Sequence, residues 1–274
     1  MFKEGVIMDL QLFIANSRVD LKENQVQKTI FPLKDFDIRC MWQGYYAERP
    51  GLYKVFEEFV IHWEEELHLL LHPQGGIIHW AKEEMCNEFN NLFPNEALRH
   101  RLNEQCTSGY AAVWTLGGSM EDVSSKFICS SSLHMMFLDV ACSLYMSIIR
   151  NALQDYVVDV LCKGQNLSVV GEHIPEICFS SGEGDAVDMR LIHIVRPWVD
   201  TKLEKKPSIS MNDYGVMQPL KTQCSMLFIG IPKKEQPIHL NTIPCSNCTG
   251  RKCLYAQFGG CHLPKQYQPW LKQH

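Results

Sequence analysis

The chain is short of positive charge. It carries 26 lysines and arginines against 31 aspartates and glutamates, a net charge of −5, whereas a general nucleic-acid binder is usually basic. It is also short of disulfide-forming density: twelve cysteines in 274 residues fall below the roughly 8–10% that marks secreted disulfide scaffolds. Its first residues, Met1 to Gly5, are interrupted by Lys3 and Glu4 and lack the apolar run and small-residue cleavage site of a signal peptide. These absences predict a reducing, cytoplasmic compartment in which cysteines serve as thiols or metal ligands. The patterns H-E-x-x-H, G-x-S-x-G and G-x-x-x-x-G-K-[ST] do not occur, so hydrolase and P-loop readings lose their usual support. There is no internal repeat. The one long apolar run, Leu133 to Ile149, has Asp139 at its middle and continues amphipathically through Arg150, Asp155 and Asp159, which predicts a buried helix rather than a membrane span.

What is present fits a folded domain: 46% apolar and 21% charged residues, in a chain long enough for a substantial core. The charge is unevenly spread. Residues 221–274 hold seven basic residues and one acid, a net of +6, which leaves −11 for residues 1–220. The C-terminal fifth is a separate electrostatic zone.

Hydrophobic spacing divides the chain into three parts. In residues 1–105, short apolar runs lead to an amphipathic helix in which Val55, Phe56, Phe59, Val60, Trp63, Leu67 and Leu70 recur at three and four, and which stops near Pro73. A second helical stretch is expected from Ile78 to Pro94 and a short third to Glu104, making this part mostly helical. Residues 106–236 read as strand (Tyr110–Leu116), long helix (Leu133 to Cys162), short strands (Leu167–Val170 and Ile177–Ser180), a glycine turn at 182–185, a helix from Ala186, and a last strand (Gln223–Ile231). This is an α+β order without sustained βαβ alternation. Residues 237–274 lose apolar periodicity and form a cysteine-rich tail.

The tail holds Cys245, Cys248, Cys253 and Cys261 in the spacing C-x2-C-x4-C-x7-C, with Gly250, Gly259 and Gly260 between them. Four soft ligands this close suit a metal, and Arg251 and Lys252 would lower the thiol pKa values and offset thiolate charge. The spacing matches neither common ferredoxin pattern nor the repeated C-x2-C of zinc ribbons, so an iron–sulfur cluster, zinc, and free or disulfide-linked cysteines all remain open. The other eight cysteines are dispersed in apolar surroundings and are expected to be small buried hydrophobes. His62, His68 and His72 do not share one helix face and are expected to be solvated or interfacial.

The block Ala112–Gly117, followed by Phe137–Ser143 on a long helix, resembles the activation (reactivation) domain of cobalamin-dependent methionine synthase, and in particular its free-standing versions in anaerobic microbes. The shared features are a strand ending in T-x-G (Thr115, Gly117), a helix of the L-D-x-x-x-S type (Leu138, Asp139, Ser143), a glycine loop, and an M-x-P segment (Met217, Pro219) before a strand. The match covers roughly residues 106–231, and several free-standing members also end in a cysteine cluster. The resemblance implies a curved α+β domain around a twisted antiparallel sheet with flanking helices. It implies S-adenosylmethionine binding in a shallow groove, a corrinoid protein or corrinoid-dependent methyltransferase as partner, and reductive rescue of Co(II) followed by methyl trapping, with an iron–sulfur cluster rather than zinc in the tail. By the same analogy Ser181, Gly182, Glu183 and Gly184 form the cofactor loop, and Lys221, Thr222, Gln223 and Ser225 lie near the corrinoid. The alternative is a non-catalytic module that binds a corrinoid or a corrinoid protein. The chain departs from the family's R-x-x-x-G-Y motif, having Cys178 at the arginine position and Glu183 at the tyrosine position, which removes the bidentate partner for the methionine carboxylate.

Overall fold

A strand covered on both faces must be apolar nearly throughout, and Cys106–Thr115 (β4) is: every residue from Ser108 onward is buried. In the computed structural model, which describes residues 9–15, 27–32, 38–39, 49–67, 70–83, 100, 103–117, 125, 132–173, 209–211, 217–218, 221–231 and 238–239, this strand lies at the centre of the sheet. It pairs antiparallel with Gln74–Ala81 (β3) on one side and with Thr222–Gly230 (β8) on the other. Ser168–His173 (β5) pairs antiparallel with the far side of β8. These four strands form an antiparallel sheet, and the architecture is α+β.

Outer strands widen it. Asp9–Ala15 (β1) runs parallel to β3 and antiparallel to Gln27–Pro32 (β2), and Ile238–His239 (β9) lies parallel to β5. The order is β2-β1-β3-β4-β8-β5-β9. Ser210–Met211 (β6) and Met217–Gln218 (β7) pair separately. Since β4 and β5 are both antiparallel to β8, they run parallel to each other with β8 inserted between them.

The connection from β4 to β5 is the long apolar helix Ser132–Tyr156 (α2), which widens into a π-helical turn over Val157–Leu161. Ser132–Leu161 is long and apolar enough to cross a membrane, and 62% of its apolar window is buried inside the fold. It packs on the sheet face formed by Ile77, Tyr110, Ala112, Trp114, Leu227 and Ile229. The amphipathic helix Tyr53–His62 (α1) then closes over α2. Phe56 meets Phe137 edge-on at 5.3 Å between ring centroids, Phe59 reaches the same ring at 5.5 Å, and Trp63 lies 5.4 Å from Tyr145. Such aromatic pairs add to the area they bury. The opposite sheet face, including Ile78, Trp80, Val113, Cys224, Met226 and Phe228, is buried as well.

The end of β8 is pinched. Both neighbours are irregular there, between Cys106 and Ser108 and between Val169 and Gly171. A Cβ on Gly230 would sit 1.9 Å from the Gln105 carbonyl oxygen, so only glycine admits this approach.

The strands β4, β5 and β8 and the helix α2 fall where the sequence predicts them. The start of the helix expected from Ile78 does not: residues 74–81 are strand β3, while residues 84–94 of that expected helix lie outside the described residues. Two β-branched isoleucines and a tryptophan favour a pleated, buried surface, and the edge of β4 completes the pairing. Among the described residues before 106, strands β1, β2 and β3 join helix α1. The β3–β4 pairing carries the sheet across residue 105. The expected strand at 177–180, the glycine turn at 182–185, the helix from Ala186 and the tail beyond residue 239 lie outside the described residues.

Candidate functional site

Where β4 ends and β8 begins, a rim of the sheet draws polar groups from three elements. Thr115 closes β4, and Gly117 follows at φ +62°, a conformation that costs side-chain-bearing residues energy. The Gly117 N–H donates to Thr115 Oγ1 at 3.1 Å, while that hydroxyl donates to the Lys221 carbonyl at 3.2 Å. The Leu116 N–H donates to the same carbonyl at 3.1 Å, and the Leu116 carbonyl accepts from His72 N–H at 2.8 Å. The threonine and glycine of the T-x-G pattern thus tie the end of β4 to the start of β8 and to the chain entering β3.

The Lys221 side chain crosses from the sheet to α2. Its ammonium lies 2.6 Å from Asp139 Oδ1 and donates to Ser143 Oγ at 2.8 Å. Ser143 in turn donates its proton to the Asp139 carbonyl at 2.8 Å. Asp139 and Ser143 are four residues apart, so α2 presents them one above the other. The lysine side chain is mostly buried at 19% exposure, and the aspartate is open at 63%. A pair this wet fixes geometry more than it adds stability.

Cys142 lies beside this cluster. Burial pushes its thiol from 9.0 up to about 12; Lys221 works against that shift and Asp139 adds to it. Burial alone pushes Cys224 to about 12. Both thiols are therefore protonated at neutral pH and inert as nucleophiles or ligands, in keeping with the small-hydrophobe expectation. A pH dependence follows. Folded pKa values above the unfolded one mean that, as pH rises past about 9, the unfolded chain releases protons the folded chain keeps. Stability is expected to be level through neutral pH and then to fall, by up to about 1.4 kcal/mol per pH unit per thiol, until the folded thiols titrate near pH 12. Urea unfolding across pH 7 to 10.5, with Cys142→Ala and Cys224→Ala each removing one thiol's share of the slope, checks this; an unchanged slope in both variants would refute it.

Of the residues singled out from the sequence, Lys221 stands at the rim. Thr222 is buried opposite Thr115, on the sheet face turned away from α2, and Ser225 is buried under α2 opposite Ala112. These three do not share one surface. Ser181, Gly182, Glu183 and Gly184, and Cys245, Cys248, Cys253 and Cys261, lie outside the described residues. Among the described residues no group of three histidine, cysteine or acidic side chains is arranged to hold a metal. The sequence reading took Asp139 and Ser143 as motif positions, and Asp139 as a bar to a membrane span, but assigned neither to the site. Their signal was a polar pair at i, i+4 on an otherwise apolar helix. No family model matches the chain, and no curated protein matches it in sequence.

Proposed function

We propose that this chain reactivates a corrinoid protein in a reducing cytoplasmic compartment: it docks over the partner's corrinoid and delivers an electron that returns Co(II) to the reduced state. One observation carries the reading. Thr115 and Gly117, Asp139 and Ser143, and Lys221, just after the M-x-P segment, come from motif segments spread over more than a hundred residues, yet they meet at one rim of the sheet. Independent drift of these positions gives no reason for them to converge. The curved, twisted form of the activation domain belongs to the same proposal.

Cys245, Cys248, Cys253 and Cys261 would hold the iron–sulfur cluster, whose chemistry is one-electron transfer; structural zinc is the alternative. The residues at the family's cofactor motif, Cys178 and Glu183, favour a second reading in which the chain binds a corrinoid partner without using S-adenosylmethionine. Calorimetric titration separates the two: binding of S-adenosylmethionine supports methyl transfer, and binding of the corrinoid partner alone supports the module.

The experiment on the tail is anaerobic purification with iron, sulfide and zinc analysis. Iron and sulfide with broad visible absorbance are expected, falling to background in Cys248→Ser and Cys253→Ser. Stoichiometric zinc without iron would end the electron-transfer reading.

A further inference from the structure

The Lys221–Asp139 pair offers more hydrogen bonding than it uses. A lysine ammonium has three N–H donors; two point at Asp139 Oδ1 and Ser143 Oγ, and among the described residues the third meets no acceptor. Asp139 gives Oδ1 to the lysine and its backbone carbonyl to Ser143; among the described residues its Oδ2 meets no donor. A spare donor and a spare acceptor therefore stand side by side at the rim. Ser143 keeps the ammonium from swinging away, and the protonated Cys142 thiol adds no charge beneath it.

Because the pair has no net charge, it favours neither an anion nor a cation. The group that matches it is neutral and carries an acceptor and a donor on adjacent atoms. A primary carboxamide does so: its C=O accepts from Nζ and its NH2 donates to the carboxylate, both as charge-assisted bonds. We propose that Lys221 and Asp139 form a docking site for a primary carboxamide. This deepens the reading above and rests on it only for the carrier, since a corrin ring bears primary amides around its rim.

The test uses the full chain with isotope-labelled lysine side chains, observed by NMR during titration with propionamide, methyl propionate, propionate and propylamine. Propionamide is expected to shift the Lys221 signal where the other three do not. Asp139→Asn is expected to weaken that binding about tenfold, the worth of a hydrogen bond to a charged group, and Lys221→Met to weaken it at least as much. If Lys221→Met also lowers the melting temperature, Asp139→Asn, at the open end of the pair, still reports on the site. Equal shifts from the ester, stronger shifts from propionate or propylamine, or no shift from propionamide each overturn the proposal. Corrinoid probes separate its failure from that of the function. Cobinamide and its heptamethyl-ester counterpart binding equally would keep a corrinoid role and remove the carboxamide site. Propionamide binding without recognition of any corrinoid would do the reverse.

Discussion

Trp114→Ala is expected to lower unfolding stability by about 4 kcal/mol, within the range for deleting a large aromatic from a packed core, and so to consume much of a domain's usual margin. Trp114 is fully buried in the central strand, on the face that α2 covers, opposite Gly75 of β3 and Gln223 of β8. The glycine leaves room for the indole, and no side chain at that position can refill the void. The indole N–H also donates to the Met146 carbonyl in the body of α2 at 3.2 Å. Trp114→Phe separates the two contributions: it keeps most of the ring and loses the hydrogen bond, for an expected cost of about 1–2 kcal/mol. Urea denaturation of both variants checks the pair; equal losses would mean that the hydrogen bond, not the volume, dominates.

Gly117→Ala is expected to cost about 3 kcal/mol and to loosen the rim as well as the fold. The positive φ accounts for about 1 kcal/mol. The rest comes from a Cβ placed 2.2 Å from the His72 carbonyl oxygen, a backbone atom that cannot rotate aside. Relief requires the chain entering β3 to move, which strains the His72–Leu116 hydrogen bond. Gly164→Ala is the internal control. Gly164 has a φ of +78°, and a methyl group added there would meet nothing within 4 Å, so it should show the backbone cost alone, about 1 kcal/mol. If the two substitutions cost the same, the close approach at His72 has no energetic weight.

The long elements were legible because their signals are local. The three-and-four spacing of α1, the apolar run of α2 and the bounded apolar strands β4 and β8 each fit within a short window. Strand β3 was not, because Ile77, Ile78 and Trp80 form too short a run to distinguish a buried strand from the start of a helix; its pairing with β4 decides the matter. The rim was half legible. Thr115, Gly117 and Lys221 stood out through their motifs, but the contact of Lys221 with Ser143, 78 residues earlier, depends on the β4–β8 register and on the height of α2 above the sheet. Neither quantity is written in any short stretch of sequence. Asp139 illustrates the gap: within the sequence it argued against a membrane span and filled a motif position, whereas in the fold it is the open half of an ion pair.

The position of β8 has a consequence during synthesis. More than a hundred residues separate the end of β4 from the start of the strand that must lie against it. At ribosomal speeds of about 5–20 residues per second, β4 waits on the order of ten seconds with one hydrogen-bonding edge bare. That edge belongs to an apolar strand, the kind that recruits neighbouring nascent chains. Newly made protein is thus exposed to aggregation in the interval before β8 emerges, and yield in a recombinant host should respond to slower induction or to added chaperones more than to any change at the surface.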